Sequence, residues 1–294
     1  MTTFQLHNEA QTGFKSAEAY DTGRPSYAPE VVDSLLKHLE VEGVKNAKIL
    51  DLAAGTGKFT EALAARSEEY EIVAVEPHDD MRAQLSKKSL KNVTVLKGNA
   101  ENMEGVSDAT FDAVIAAQSF HWFATMEALR EIARVLKPAK TLGLIWNIDD
   151  YNAPQSWDIA AGWDSEMRDQ VWELDFDQPR FRHGQWKKVF DEQSTSNLFT
   201  LKFADPLFGL PIGEETVPYK VWLTREAAWE RMRTLGQIAV LEGDELARVK
   251  ARCEKAFDLS GTETDGDKIA LHGRTVIAWT SHIPEVPLRS EEAM

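Results

Sequence analysis

Cysteine is almost absent from this chain of 294 residues, which contains only Cys253. One cysteine excludes an internal disulfide and any metal cluster built on several thiolates, and it fits a reducing compartment. The simplest interpretation of Cys253 is a small apolar side chain on the inner face of a helix.

Long apolar runs are also missing. No segment approaches the ~20 apolar residues that a membrane span needs. The N-terminal sequence MTTFQLHNEAQTGF lacks the basic flank and apolar stretch of a secretion signal. We therefore expect a cytoplasmic protein with no membrane partner.

Positive charge is scarce, because 33 Lys and Arg residues face 48 Asp and Glu residues and the formal net charge is -15. Nucleic-acid affinity depends chiefly on Lys and Arg neutralising phosphates, so we expect no nucleic-acid partner. Apolar residues make up 43% and charged residues 28% of the chain, an ordinary balance for a globular protein. The oligomeric state stays open between monomer and homodimer.

Short apolar runs alternate with helical patterns between Lys48 and Trp146. This alternation is typical of βαβ units on a parallel sheet. We predict one α/β domain over residues 1 to 294, with a doubly wound, Rossmann-like sheet of about seven strands whose last strand is antiparallel. The apolar runs are KILDLA, EIVAVE, NVTVLKG, FDAVIAA and TLGLIW, and helical patterns cover residues 29 to 39, 59 to 66, 81 to 89 and 126 to 136.

The alternation ends after Trp146. Residues 148 to 213 are rich in Trp, Asp and Phe, and we predict that they form an inserted, largely helical cap at the acceptor site. Residues 214 to 294 are predicted to supply the remaining strands and helices. These are strands at 216 to 223 and 269 to 281, and helices at 224 to 235 and 242 to 257.

The strongest local signal is ILDLAAGTGKFT, where a buried strand reaches Asp51 and runs into Gly55 and Gly57. Glycines at these positions let the backbone turn tightly and approach a ligand closely. Thr60 stands where a dinucleotide fold prefers a third glycine to receive a pyrophosphate. Glu76 ends the next strand, where a carboxylate can accept both ribose hydroxyls. The pattern predicts a cationic nucleoside with an amino-acid tail, and Asp51 can accept a hydrogen bond from the ammonium of that tail directly or through water.

These motifs, followed by KGNAENM, FDAVIAAQSFHWF and LREIARVLKP, resemble the ordered motifs of class I S-adenosylmethionine-dependent methyltransferases over residues 45 to 147. More narrowly, FKSAEAYDTGRPSY, SFHWF and RFRHGQW look like the small-molecule branch that includes trans-aconitate methyltransferases. The resemblance implies S-adenosylmethionine as cofactor and S-adenosylhomocysteine as product. It also implies a cofactor-binding core at residues 45 to 147, covered by residues 1 to 30.

The resemblance assigns cofactor contacts residue by residue. The backbone of Gly55 and Gly57 would line the methionine part, Glu76 would hold the ribose, and Met81 would lie against the adenine. The cofactor-binding residues implied in this way are Tyr20, Arg24, Asp51, Ala53, Gly55, Gly57, Glu76, Met81, Asn99, Ala100, Glu101 and Gln118.

Three of these positions, Arg24, Asn99 and Gln118, have more specific expected roles. The fork of donors on Arg24 suits the methionine carboxylate, and a surface salt bridge is the alternative. Asn99 stands where the family usually has aspartate, although an amide oxygen can still accept from the adenine amine. Gln118 would sit beside the cofactor amine. Outside this set, Pro138-Ala139-Lys140 replaces the family's glycines and is expected to form a surface turn.

The best candidate for a catalytic base is His121, which follows the fourth strand at the edge where open α/β sheets bind ligands. A structural histidine bonded to a backbone carbonyl is the alternative, and His183 is the second candidate base. Trp122, Phe123 and Trp146 are predicted to form an apolar substrate pocket, unless they are plain core. The remaining histidines lack metal-ligand spacing, so no metal is predicted.

We therefore expect in-line methyl transfer to an O, N or S atom of a small, apolar or aromatic metabolite. Trans-aconitate itself is not favoured, because its carboxylates would need several arginines and only Arg180, Arg182 and Arg225 are candidates. The alternative function is a non-catalytic S-adenosylmethionine-binding partner or regulatory subunit. An RNA or protein methyltransferase is disfavoured by the acidic charge, and by AAQSF standing where an Asn-Pro-Pro-Tyr type tetrapeptide would lie.

Overall fold

A mixed β-sheet runs through the computed structural model, which describes residues 26 to 160, 162 to 174, 179 to 195 and 206 to 284. Its strand order is β3-β2-β1-β4-β5-β8-β6, and β7 pairs with β8. The strands are β1 Lys48–Leu52, β2 Glu71–Val75, β3 Val93–Leu96, β4 Phe111–Ala117, β5 Leu136–Asp149, β6 Gly213–Thr224, β7 Thr264–Asp265 and β8 Lys268–Ser281.

Strands β1 to β5 are mutually parallel, whereas β8 runs antiparallel to both β5 and β6. The predicted doubly wound sheet with an antiparallel end is therefore confirmed. The described residues form eight strands rather than about seven, because β7 adds a strand of two residues.

Helices cover both faces of the sheet. They are α1 Pro29–His38, α2 Lys58–Ala64, α3 Asp79–Lys87, α4 Met126–Val135, α5 Trp163–Glu173, α6 Lys188–Gln193, α7 Arg225–Arg233, α8 Gly236–Ala239 and α9 Gly243–Ala256. In the described parts of the chain, single 3-10 turns occur at Phe120–Trp122, Asp150–Asn152, Phe181–His183 and Gln185–Lys187. None of the helices within the described residues has the length and apolar character to cross a membrane.

Local sequence explains two of these helices. Helix α4 begins where the Thr125 hydroxyl accepts from the Ala128 backbone N–H, an N-terminal cap that satisfies one of the unpaired amides of the first turn. Helix α1 begins at a proline, which lacks the N–H that would be unpaired there. It also lies close to β5, because a Cβ on Gly143 would be 2.9 Å from the Leu39 methyl carbons.

The described residues form three apolar clusters. One joins the sheet to α4, to α6 and to Phe181 and Trp186, which fall in the predicted cap. The second packs α1 and α2 on the opposite face. The third lies beyond them, where α5, α7 and α9 enclose Trp163 and Trp229, and Cys253 is a buried member of it. The boundaries of the predicted cap remain a prediction.

Strand β5 corrects the turn expected at Pro138-Ala139-Lys140. These residues lie inside β5, which follows α4 directly. Leu136 pairs with Phe111 and Thr141 pairs with Ala113, so β5 carries extra residues opposite β4 and forms a bulge. Ala139 has φ +61°, the left-handed conformation that this irregularity requires.

Strand β6 is the outer strand at one end of the sheet. Among the described residues it pairs with β8 alone, along twelve consecutive register positions. Its side chains alternate between half-buried and exposed, and Pro218 lies in its middle. This position agrees with the restriction of proline to edge strands and bulges.

Candidate active site

The turn after β1 is built on left-handed backbone. Ala53, Gly55 and Gly57 have φ values of +56°, +59° and +86°. A Cβ on Gly57 would lie 2.3 Å from Cδ1 of Leu85, so glycine also lets α3 pack closely against the turn. A Cβ on Gly55 would lie 3.8 Å from Sδ of Met81, which places Met81 beside the turn, and its contact with the adenine stays a prediction.

Asp51, the carboxylate before the turn, is wholly buried. Its Oδ2 accepts from the Thr60 hydroxyl at 2.6 Å, whereas Oδ1 has no hydrogen-bond partner among the described residues. Burial raises the pKa of Asp51 to about 7, and the negative charge of Glu76 adds to the increase. A buried carboxylate oxygen without a donor matches a cationic ligand. The sequence identified Thr60 only as a missing glycine and did not predict this contact.

Glu76 ties the end of β2 to the glycine turn. Its Oε2 accepts from the Gly55 N–H and its Oε1 from the His78 N–H, each at 2.8 Å. Burial raises the pKa of Glu76, although both backbone donors oppose the increase. Each carboxylate oxygen keeps a second lone pair, so the bonds seen here are compatible with further donors from ribose hydroxyls.

Asn99 lies in the turn after β3. Its Oδ1 accepts from the backbone N–H groups of Glu101 and Asn102, at 2.9 and 3.0 Å. This oxygen therefore stabilises a local turn, and its contact to an adenine amine stays a prediction. Ala100 is buried, while the exposed Glu101 accepts from the Thr125 hydroxyl at 3.3 Å.

The ends of β4 and β5 are joined by Gln118. This residue has φ +59°, its N–H donates to the Ile145 carbonyl at 2.8 Å, and its side-chain nitrogen donates to the Asn147 carbonyl at 2.9 Å. The amide oxygen of Gln118 is thus the group that suits a cofactor amine. Ser119 lies 3.4 Å from the Leu52 carbonyl, which brings the segment after β4 next to the end of β1.

His121 lies in the 3-10 turn that follows. Its Nδ1 accepts from the indole N–H of Trp146 at 3.1 Å. Burial is the main cause that lowers the pKa of His121 to about 3, and the neighbouring Arg180, Arg182 and His183 contribute to the decrease. The imidazole is therefore neutral at physiological pH, and the residue as a whole is partly exposed.

The aromatic residues predicted to meet the acceptor have different positions. Trp122 and Phe123 are partly exposed, and the guanidinium of Arg180 lies 4.5 Å from the Trp122 ring centroid. Trp146 is fully buried, so its contact with an acceptor stays a prediction. The hydrogen bond to His121 links Trp146 to the partly exposed aromatic residues.

The structure brings the predicted residues of four strands to one edge of the sheet. Asp51, Glu76, Asn99 and Gln118 lie at or after the carboxyl ends of β1, β2, β3 and β4. Tyr20 and Arg24 lie outside the described residues. No group of three or more His, Cys, Asp or Glu side chains that could hold a metal occurs in the described part of the chain.

A family model and several known proteins match the sequence of this chain. Residues 50–143 match a family model described as a methyltransferase domain. The chain is 30% identical over 257 residues to the uncharacterized methyltransferase-like protein C25B8.10 of Schizosaccharomyces pombe, covering 87% of this chain and 90% of that protein. The uncharacterized methyltransferase Rv3342 of Mycobacterium tuberculosis is 42% identical over 132 residues, 45% of this chain.

These matches differ in how much of each protein they cover. The matched segment spans about half, 50%, of the length of the mycobacterial relative. The crystal structure of YcgJ from Bacillus subtilis superposes with a TM-score of 0.51 at 17% identity, covering 86% of this chain and 99% of that one, and it supports the fold alone.

The residues present fit the methyl donor that this family uses. The unpartnered oxygen of Asp51 suits the ammonium of its amino-acid part, and the left-handed turn at Gly55 and Gly57 allows close approach. Together with the match along nearly the whole yeast protein, these features place the chain among the class I S-adenosylmethionine-dependent methyltransferases.

Proposed function

We propose that the protein transfers the methyl group of S-adenosylmethionine to an O, N or S atom of a small metabolite. The observation that carries this proposal is the pairing of two features at one sheet edge. A turn that fits the donor follows β1, and a partly exposed aromatic recess, formed by His121, Trp122 and Phe123, follows β4. Strands β1 and β4 are direct neighbours.

On the donor side, the chain supplies charge and shape. Asp51 in its ionised form attracts the ammonium of the amino-acid part of S-adenosylmethionine, and Glu76 accepts hydrogen bonds from the ribose hydroxyls. Met81 packs its thioether against the adenine, where its buried position beside Gly55 suits a flat apolar group. Bound S-adenosylmethionine supplies a methyl carbon that is already activated by its positively charged sulfur.

On the acceptor side, the main requirement is alignment without water. Proximity and orientation can supply roughly 7–11 kcal/mol of the barrier, more than the about 3–5 kcal/mol that a general base contributes. Trp122 and Phe123 offer apolar surface that would hold an aromatic or aliphatic body in place. The guanidinium of Arg180 over Trp122 adds a polar edge to this surface.

The acidity of the protein supports a small acceptor. A formal net charge of -15 opposes approach to a nucleic-acid backbone, which carries the same sign. A non-catalytic role would use the same donor contacts and differs only in lacking transfer.

The test is a methyl-transfer assay with purified protein, S-adenosylmethionine and a panel of phenols, thiols, amines and carboxylic acids. Release of S-adenosylhomocysteine and a product heavier by one methylene group, both read by mass spectrometry, would support the proposal. Asp51→Asn is the matched variant for the methyl-donor site, because it keeps the shape of the side chain and loses the charge that attracts S-adenosylmethionine. Binding of S-adenosylmethionine without release of S-adenosylhomocysteine in the presence of any acceptor of the panel would favour the non-catalytic role.

A further inference from the structure

The hydrogen bond between Trp146 and His121 has a fixed direction. An indole nitrogen can only donate, so Nδ1 of His121 must present a lone pair to it at 3.1 Å. Trp146 itself has little freedom, because it is fully buried and packs against Phe181 and Trp186, with ring centroids 5.0 and 4.7 Å away.

The tautomer of His121 follows from this direction. A neutral imidazole carries one N–H and one lone pair, so the proton lies on Nε2 when Nδ1 accepts. The lowered pKa of His121, about 3, keeps the ring neutral at physiological pH. Nε2 makes no hydrogen bond with any described residue, and it is not one of the fully buried nitrogen atoms that lack a partner in the described part of the chain, so it keeps some exposure. The recess therefore presents an N–H donor.

The geometry points to Trp146 as a positioning residue that holds His121 in the Nε2–H form, so that His121 binds the methyl acceptor as a hydrogen-bond donor instead of removing its proton. This inference rests on the proposed function. It replaces the role of general base that the sequence suggested for His121, because a nitrogen that already carries a proton cannot accept one.

A hydrogen-bond donor at this position favours methyl acceptors of one chemical class. An acceptor atom that is already anionic at neutral pH, such as a carboxylate oxygen, needs no base and accepts readily from Nε2–H. The lone pair of that oxygen forms the new bond to the methyl carbon while the carbon–sulfur bond breaks and its electron pair stays on sulfur. The anion becomes a neutral ester, the sulfonium becomes a neutral thioether, and no proton is released.

Two guanidinium groups lie near His121. Arg180 and Arg182 both act electrostatically on the imidazole. The guanidinium of Arg180 lies 4.5 Å from the Trp122 ring centroid, and the almost fully buried Arg182 donates to the amide oxygen of Asn152 at 2.7 Å. Guanidinium groups at this distance are compatible with an anionic acceptor.

The first test reads the tautomer without any acceptor. Histidine labelled with ¹⁵N distinguishes protonated from unprotonated ring nitrogens, and His121→Gln identifies the signals of His121 among the seven histidines. We expect the Nε2–H form throughout pH 6 to 8. In Trp146→Phe we expect a mixture of both tautomers and a titration moved toward ordinary values. Trp186→Phe is the matched control, since it alters a buried tryptophan of the same cluster that makes no bond to His121. An Nδ1–H form or an imidazolium at pH 7 in the unaltered protein would overturn the inference.

The second test uses the carboxylic acids and phenols of the assay panel. His121→Gln keeps an N–H donor but cannot act as a base, whereas His121→Leu has neither ability. We expect the Gln variant to keep kcat within about tenfold with an unchanged pH profile between 6 and 8. We expect the Leu variant to raise KM by about tenfold or more, the loss typical of one hydrogen bond to a charged group. A base would instead be revealed by a ~100- to 10,000-fold fall in kcat in the Gln variant.

The two tests separate the inference from the function on which it rests. If no acceptor in the panel is methylated, the proposed function fails, yet the nitrogen spectra still decide the tautomer. Unchanged binding of S-adenosylmethionine in both His121 variants shows that the fold and the donor site are intact. Methylation of phenols in preference to every carboxylic acid at pH 6, where phenols are not ionised, contradicts the inference even if transfer occurs.

Discussion

Arg231 and Asp149 form an ion pair that is almost completely enclosed, with side chains 9% and 8% exposed. Nε of Arg231 donates to Oδ2 of Asp149 at 3.0 Å, and the hydroxyls of Tyr151 and Tyr219 donate to the same carboxylate at 2.6 Å each. Asp149 is the last residue of β5, so the pair fastens α7 to the edge of the sheet that carries the site.

Removing the cation should be costly. Arg231→Met leaves the carboxylate of Asp149 buried without its charge partner, and we expect the free energy of unfolding to fall by about 3–5 kcal/mol. Urea denaturation followed by circular dichroism measures this change. Arg233→Met is the control, because Arg233 pairs with Glu230 at 3.6 Å on the surface and should cost about 0–1 kcal/mol. Equal losses in both variants would contradict the interpretation.

Gly55 and Gly57, in the turn after β1, should differ in how well they tolerate replacement by alanine. Gly57→Ala introduces a Cβ that would overlap Leu85, whereas Gly55→Ala meets nothing nearer than 3.8 Å and suffers only the strain of positive φ. We expect both variants to bind S-adenosylmethionine at least about tenfold more weakly by calorimetry, a loss of ~1.4 kcal/mol. Only Gly57→Ala should also lower the melting temperature strongly, and Leu85→Ala should restore part of that loss. Wild-type affinity in both variants would remove the turn from the donor site.

Donor binding should depend on pH through Asp51. The pKa of this carboxyl is raised to about 7, so the unliganded protein holds it largely protonated below pH 7. A cationic ligand favours the ionised form, and binding must then release a proton. Affinity should therefore increase as pH rises from 5 to 7, and calorimetry in buffers of different ionisation enthalpy should detect the released proton.

Two variants test the assignment to Asp51. Asp51→Asn should bind more weakly and lose most of the pH dependence, while Thr60→Val removes a hydrogen bond that lowers the pKa and should move the dependence to higher pH. A pH slope that survives unchanged in Asp51→Asn would assign the proton to another group.

His121 should make the fold sensitive to mild acid. Its pKa is lowered to about 3 from the ordinary 6.5, so the unfolded chain binds a proton that the folded protein refuses between these values. The contribution of this residue to stability is complete above pH 6.5 and decreases as the pH falls toward 3. Urea denaturation at pH 7 and pH 5 should show a smaller loss in His121→Gln than in the unaltered protein. An identical loss in both proteins would contradict the lowered pKa.

Short-range patterns explain why much of the fold was predictable. The central parallel strands β1 and β4 are largely buried and contain compact apolar runs, and both glycines of the turn after β1 have the positive φ that favours glycine. The bulge of β5 was missed because its cause lies in the pairing with β4, and Pro138 alone suggests a turn.

The contacts that define the site were harder to predict. Thr60 reaches Asp51 across nine residues, and Trp146 reaches His121 across 25 residues. The second contact depends on the register between β4 and β5, which leaves no mark on either sequence segment. The sequence could thus locate His121 at the edge of the sheet without revealing which of its nitrogens carries the proton.

The proline in the middle of β6 has a consequence for how molecules of this protein behave at high concentration. A twelve-residue outer strand would ordinarily offer a long template for edge-to-edge aggregation. Pro218 has no backbone N–H to donate, and two residues further on Lys220 pairs with Glu263 at 2.7 Å, so charged side chains cover this part of the strand. Both features oppose the addition of a further strand at this edge of the sheet.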